Sequence, residues 1–93
     1  MIQTIAHKGL RLLWEKDDPT KLQPMQVDKI TRILTLLDTI KTPDQLKQIP
    51  GLKLHALQGN FDGFWAVNVT GNFRIIFRFE EENSYDVDYI DYH

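Results

Sequence analysis

Two arginines lie on one face of a predicted strand, where they could bind phosphate. In residues 73–79, aromatic and aliphatic side chains occupy every second position and are expected to face a core. Arg74, Ile76 and Arg78 then face the other way, and we expect the two guanidinium groups to lie roughly 7 Å apart. Such a pair can clamp one phosphate or two adjacent ones. The alternative is a solvated face, because exposed charge on a half-buried strand is common.

Imidazole, phenol and carboxylate groups occur together at the end of the sequence. Asp91, Tyr92 and His93 are consecutive, and His55 adds an imidazole on a predicted strand that carries Lys53 on the same face. An imidazole titrates near neutral pH, so it is suited to proton transfer. The alternative is that the terminal aromatic residues only pack and the last residues fray, while His55 has a structural role.

Metal and nucleotide sites find little support in the sequence. The histidines are far apart, and none lies in a motif with metal-ligand spacing. His7 stands where a helix begins, so a capping or core role is expected for it. The glycines of residues 59–63 lack the lysine and the strand-to-helix context of a phosphate loop. We therefore predict neither a metal nor another cofactor.

Composition predicts one domain, residues 1–93, that folds in a reducing cytoplasm. The chain has no cysteine, no long apolar run and no recognisable signal peptide. Its net charge of -2 argues against nucleic-acid binding, which usually requires a basic surface. However, residues 80–93 hold six acids and no Lys or Arg, which leaves residues 1–79 with eleven bases against seven acids. A local basic patch therefore remains possible.

Helical periodicity precedes strand alternation along the chain. Apolar stripes predict a short helix from His7 and a longer one between Met25 and Ile40. The sequence Thr42-Pro43-Asp44-Gln45 has the form of a third helix start, with the helix ending near Ile49.

Alternating residues then predict four strands, 53–57, 64–70, 73–79 and 85–92, joined by turns at 58–63, 71–72 and 80–84. Residues 1–5 could add a first or edge strand. The predicted class is α+β, with an N-terminal strand and two or three helices packed on one face of a mainly antiparallel sheet.

Several motifs, taken in order, resemble the HigB-type toxins of the RelE/ParE superfamily. They are His7-Lys8-Gly9-Leu10, Leu54-His55-Ala56-Leu57-Gln58-Gly59, Gly63-Phe64-Trp65, Asn72-Phe73-Arg74-Ile75-Ile76-Phe77 and Asp91-Tyr92-His93. The likeness runs over essentially the whole chain. The terminal Asp-Tyr-His after an N-x-R-x-x-F strand is its most specific part.

The resemblance implies a microbial RNase (RelE-like) fold and a ribosome-dependent messenger RNA endonuclease. It also implies neutralisation by a HigA antitoxin that carries a helix-turn-helix domain. Strand geometry adds Lys53 and Arg78 as RNA contacts. The positions that match the family's site are His55, Asn72, Arg74, Asp91, Tyr92 and His93.

The chain departs from the family pattern at Gln58. Lysine is common at this position, so a cation expected near the scissile phosphate is missing. The net negative charge is also unusual for this superfamily. Rate or substrate preference could differ as a result.

Cleavage without metal would proceed by attack of the RNA 2′-hydroxyl on the adjacent phosphate. His93 is expected to act as the base and His55 as its partner or as the acid, although the two labels could be exchanged. Arg74 would stabilise charge on the phosphoryl oxygens, Asp91 would orient an imidazole, and Tyr92 would stack on a base or donate its hydroxyl.

Two other functions remain open. A ParE-like protein would share the fold but poison DNA gyrase by binding. A degenerate toxin would only bind its antitoxin and regulate a promoter. The histidines and the terminal Asp-Tyr-His favour the nuclease.

Overall fold

Residues 1–91 are described by a computed structural model in which helices precede a four-stranded sheet. The α-helices are α1 (Lys8–Lys16) and α2 (Val27–Thr39), and three 3₁₀ turns span Pro24–Gln26, Pro43–Gln48 and Gly59–Phe61. The strands are β1 (His55–Ala56), β2 (Trp65–Asn68), β3 (Phe73–Glu80) and β4 (Asn83–Asp91). They form one antiparallel sheet in the order β1-β2-β3-β4. The predicted α+β class is confirmed.

The helices cover one face of the sheet and bury their apolar stripes against it. The stripes predicted for α1 and α2 are confirmed, because their leucines and isoleucines are buried together with inward-facing residues of β2, β3 and β4. Within residues 1–91 no helix has the length and apolar character that a membrane crossing requires. The fully buried core side chains include Leu10, Ile30, Ile33, Leu34, Leu37, Leu46, Val67, Val69, Ile75, Phe77 and Val87.

His7 caps the start of α1, as its position in the sequence predicted. Its Nδ1 accepts hydrogen bonds from the backbone N–H groups of Gly9 at 3.0 Å and Leu10 at 3.2 Å. The ring passes so close to Gly9 that a Cβ there would lie 2.9 Å from its Cε1 atom. The imidazole also contacts the ring of Tyr89 edge to face, with centroids 5.4 Å apart. This histidine is therefore occupied structurally.

We expect His7→Ala to lower the free energy of unfolding by about 1 kcal/mol, because two N–H groups of the first helical turn lose their acceptor. His7→Asn supplies a capping oxygen and should lose less. Urea denaturation of both variants, with the exposed Lys8→Ala as control, measures the difference. An equal loss in the alanine and asparagine variants would contradict capping and point to the ring contact with Tyr89.

The third predicted helix forms as a 3₁₀ helix, Pro43–Gln48. Its start is where the sequence placed it, and the Gln45 side chain accepts hydrogen bonds from the backbone N–H groups of Lys41 and Thr42. The segment is only six residues long and ends before Pro50. So short a segment readily adopts the tighter 3₁₀ form.

All four strands differ in length from their predictions, with β2 shortened to Trp65–Asn68 and β3 extended by Glu80. β1 is confined to two residues because Lys53 takes a left-handed backbone with φ 50°. β4 begins at Asn83, earlier than predicted, because the preceding turn needs only Glu81 and Glu82, both at positive φ. The predicted turn at Gly71-Asn72 is confirmed, since the Phe73 N–H donates to the Thr70 carbonyl across it at 2.8 Å.

The N-terminal segment lines the free edge of β4 in parallel orientation, through isolated bridges at Ile2 and Ile5 and without forming a continuous strand. Its own outer edge is occupied by side chains. Asp38 accepts a hydrogen bond from the Ile2 N–H at 3.0 Å, and Arg11 donates one to the Ile5 carbonyl at 3.2 Å. Residues 2–5 therefore form an outer edge of the sheet beside β4.

Candidate active site

The face of the sheet opposite the helices carries the candidate site. Directly paired residues on antiparallel strands point to the same face, so the strand register defines rows of neighbouring side chains. Two adjacent rows cross this open face. One is His55, Ala66, Ile76 and Asp88, and the other is Asn68, Arg74 and Ile90.

His55 and Arg74 line one cavity of about 150 Å³ on this face. Ala66 and Ile76 form part of its floor, and each is 1% exposed. The structure thus brings His55 and Arg74, which lie 19 positions apart in the sequence, to one recess. The remaining lining residues are Leu57, Gln58, Phe61 and Ile90.

The hydrogen bond made by His55 determines which ring nitrogen is available for proton transfer. Nδ1 lies 2.9 Å from the Lys53 backbone carbonyl oxygen. Because a carbonyl oxygen only accepts, Nδ1 must carry the proton in this contact. The neutral ring then has its lone pair on Nε2, which is the atom left to exchange a proton with a ligand. Lys53, whose backbone is left-handed, positions the imidazole through its carbonyl oxygen.

Arg74 is held by the turn that precedes it. One terminal nitrogen donates to the Gly71 carbonyl at 2.8 Å and to the Phe73 carbonyl at 3.1 Å. Among residues 1–91, no carboxylate forms a salt bridge with Arg74. Within residues 1–91 the guanidinium is thus oriented by neutral carbonyl groups, and it can bind an anion.

Arg78 lies on the same face, but the expectation that it joins Arg74 in one clamp is wrong. The two residues are four strand positions apart, about 13 Å along β3 instead of the expected 7 Å. Arg78 Nε donates to Asp86 at 2.8 Å, and its Nη1 lies 3.8 Å from Glu80. The hydrogen bond to Asp86 raises the pKa of the Arg78 guanidinium, whose charge is balanced by these acids.

Four further residues were predicted to line the site: Asn72, Asp91, Tyr92 and His93. Asn72 is exposed in the turn that orients Arg74. Asp91 pairs with Phe73 at the end of β4, and its expected role in orienting an imidazole stays a prediction. Tyr92 and His93 lie outside the described residues.

A polar network behind the sheet positions the Arg74 turn, and sequence reasoning missed it. The buried Gln26 donates from Nε2 to the Thr70 hydroxyl at 2.8 Å and accepts a hydrogen bond from the Tyr89 hydroxyl. Lys29 Nζ donates to the Val69 carbonyl at 2.6 Å. The available signal was Gln26 itself, a polar residue four positions before Ile30 on the apolar stripe of α2.

Removing the Tyr89 hydroxyl tests this network. Tyr89→Phe should lower the free energy of unfolding by about 1 kcal/mol, because Gln26 loses a hydrogen bond at a buried site. Burial raises the pKa of the Tyr89 phenol, and the Asp91 carboxylate raises it further. The hydroxyl's contribution is therefore complete below about pH 10 and is lost as pH rises through the folded-state pKa.

Urea denaturation of the wild type and of Tyr89→Phe should accordingly show a difference that is constant below about pH 10 and shrinks as the pH rises above it. Tyr85→Phe, which removes a phenol hydroxyl outside this network, is the matched control. A difference that grows with pH would contradict a raised pKa.

Glu80, Glu81 and Glu82 lie away from the cavity, whereas Asp88 lies on the open face beside Ile76. Glu80 is six positions beyond Arg74 on β3, about 20 Å along the strand, and the acidic turn follows it. Lys41 pairs with Glu82 at that end, at 3.3 Å. Within residues 1–91, no group of three or more His, Asp or Glu side chains could hold a metal ion.

A larger cavity of about 390 Å³ lies along residues 2–5, where Arg11, Trp14 and Glu15 complete its lining. Arg11 already donates to the Ile5 carbonyl there. Among residues 1–91 the lining of this larger cavity includes no imidazole, so the described lining offers no comparable group for proton transfer near neutral pH. The smaller recess at His55 and Arg74 remains the candidate active site.

Solved structures with the same fold support this architecture. A YafQ variant from E. coli superposes with a TM-score of 0.59 and 20% identity, over 95% of this chain and 87% of the other. A YoeB/ParE toxin from Agrobacterium tumefaciens gives a TM-score of 0.56 and 16% identity, over 99% and 96%. At these identities the likeness concerns the fold.

Sequence comparisons identify the family. A family model described as the RelE-like toxin of type II toxin-antitoxin system HigB matches residues 3–93. Endoribonuclease HigB from Proteus vulgaris is 39% identical over 94 aligned residues, which cover the whole of both chains. Toxin HigB-1 from Vibrio cholerae is 29% identical over 72 residues, 76% of each chain. The resemblance read from the motifs is confirmed, and the chain belongs to the HigB-like family of RelE-like toxins of type II toxin-antitoxin systems.

Proposed function

We propose that this toxin is an endoribonuclease that cuts messenger RNA in the ribosomal A site without a cofactor. The observation that carries the proposal is the shared cavity, which is lined by an imidazole and by a guanidinium that forms no salt bridge within residues 1–91. RNA cleavage at a phosphodiester needs proton transfer and stabilisation of phosphoryl charge, and these two groups supply one function each. The Proteus vulgaris relative, named as an endoribonuclease, is consistent with this chemistry.

In the proposed mechanism the RNA provides its own nucleophile. The 2′-hydroxyl loses its proton and attacks the adjacent phosphorus, while the bond to the 5′ oxygen breaks and that oxygen is protonated. The products are a 2′,3′-cyclic phosphate and a 5′-hydroxyl. His55 and His93 divide the two proton transfers, and at His55 the exchanging atom is Nε2 whichever step it serves.

Arg74 stabilises the negative charge that builds on the phosphoryl oxygens. Its position depends on the turn carbonyls, so the guanidinium is oriented before RNA binds and little reorganisation is needed. Asn72, in the same turn, and Lys53, beside His55, are the proposed further RNA contacts. Tyr92 is assigned to stacking on a base or to donating its hydroxyl.

A toxin of a type II system has an antitoxin partner, and we propose that this partner is a HigA-like protein with a helix-turn-helix domain. The toxin and antitoxin would form a hetero-oligomer in the cytoplasm. The ribosome is the proposed second partner, because it would present the messenger RNA in an extended form with its bases and backbone accessible.

Induction of the toxin without antitoxin tests the function. We expect growth arrest and new transcript ends that primer extension can map, and purified ribosomes should be required to reproduce the cuts. Double-strand DNA breaks with intact transcripts would instead identify a gyrase poison of the ParE kind. Absence of any growth defect would identify a protein that only binds its antitoxin.

A further inference from the structure

We infer that the cavity beside Arg74 is a subsite for one unstacked nucleobase, with Phe61 as its stacking wall and Gln58 as the residue that reads the base edge. This inference rests on the proposed nuclease function and specifies its substrate contact. It assigns roles to two residues that the proton-transfer chemistry does not use.

The lining of the cavity is largely apolar and suits the flat face of a base better than it suits a phosphate. Ala66 and Ile76 are each 1% exposed although they point away from the helix-side core. Leu57 and Ile90 extend this apolar surface at its sides. Binding sites of this kind join an apolar surface to a few polar groups that fix orientation. Here His55 and Arg74 are those groups on the backbone side of the ligand.

Phe61 supplies an aromatic surface at the rim. It is 40% exposed, and the other large exposed apolar side chains in residues 1–91, Met1 and Met25, do not line this cavity. Its ring meets Phe64 edge to face, with centroids 6.0 Å apart and an interplanar angle of 81°. The Phe64 N–H also donates to the Phe61 carbonyl at 2.9 Å. The ring is therefore held in place while a large part of it stays open to a ligand.

Gln58 provides a neutral donor and acceptor at the same recess. Among the described residues its side-chain amide makes no hydrogen bond, and the residue is exposed directly before the 3₁₀ turn that carries Phe61. An amide can donate and accept at once, so it can distinguish base edges by their pattern of groups. A lysine at this position could only donate and would respond mainly to phosphate charge. Glutamine thus favours selectivity for a base.

Cleavage by purified toxin on programmed ribosomes, with transcript ends mapped by sequencing, tests the subsite. Phe61→Ala should slow cleavage by about 5- to 150-fold, the equivalent of about 1–3 kcal/mol of stacking. Phe61→Trp should restore most of the rate because it keeps an aromatic face. Met25→Ala, which removes a remote exposed side chain, is the matched control and should cleave like the wild type.

Gln58→Ala should change the distribution of cuts more than their total number, with a loss of base preference at one position relative to the scissile bond. Gln58→Lys should cut at least as fast as the wild type but with relaxed preference, because a charge replaces the edge contact. Thermal unfolding of each variant establishes that it is folded.

Wild-type rates and an unchanged cut distribution in folded Phe61→Ala and Gln58→Ala would overturn the subsite while leaving the nuclease intact. A wild-type toxin that makes no RNA breaks would overturn the proposed function and the subsite with it.

Discussion

Arg74→Ala should reduce the rate of messenger RNA cleavage by about 100- to 1,000-fold while leaving ribosome association largely intact. The magnitude is typical of removing one preorganised donor that stabilises developing negative charge. Arg74 fits this role because turn carbonyls orient it and no carboxylate of residues 1–91 neutralises it. Single-turnover cleavage on programmed ribosomes, with toxin in excess, measures the loss at the chemical step.

Arg78→Gln is the matched control, because it changes an arginine of the same strand and the same face. Its charge is balanced by Asp86 and Glu80, so we expect a cleavage rate close to that of the wild type and little change in stability. Equal losses of cleavage in the two variants would show that the face acts through its total charge. Thermal unfolding of Arg74→Ala separates a lost contact from a disturbed turn.

His55→Ala should lower the same rate by about 100- to 10,000-fold, the range over which a positioned acid or base accelerates a reaction. The Nδ1 contact with the Lys53 carbonyl leaves Nε2 to exchange the proton. Added imidazole should restore part of the rate in His55→Ala, because a free imidazole can occupy the vacated space and transfer the proton. A variant that only lost structure would not respond to it.

His7→Asn is the control for this second prediction. It removes the other described imidazole, which serves the helix cap, and it should cleave at the wild-type rate. Full activity of a folded His55→Ala would exclude His55 from the proton path. Activity that is lost in a variant shown by thermal unfolding to be folded, but that is insensitive to imidazole, would assign His55 to RNA positioning.

The parts of the fold that follow from side-chain periodicity were predictable from the sequence. The apolar stripe of α2 and the alternation along β3 each predicted which side chains face the core, and both predictions are confirmed. The positions of irregular backbone were not predictable. Lys53 shortens β1 with a left-handed φ, and Glu81-Glu82 forms a tight turn without the asparagine or glycine that usually marks one.

The same distinction applies to the candidate site. Alternation correctly placed Arg74 on the open face and the motif directed attention to His55, which the structure brings to the same cavity. The alternating pattern could not reveal that Asp86 balances the charge of Arg78. Asp86 lies beside Arg78 because β4 carries an extra residue at a β-bulge. Nor could the pattern link Gln26 to Tyr89, which lie 63 positions apart in the chain.

The sheet edge formed by residues 2–5 is poorly suited to pairing with a strand of another protein. Asp38 and Arg11 occupy the Ile2 N–H and Ile5 carbonyl that would otherwise pair with an incoming strand. A strand from another protein could pair with this edge only after the side chains of Asp38 and Arg11 were displaced. The antitoxin is therefore expected to bind this toxin through side-chain contacts or at another edge of the sheet. For the same reason, copies of the toxin are not expected to pair through this edge into a continuous sheet.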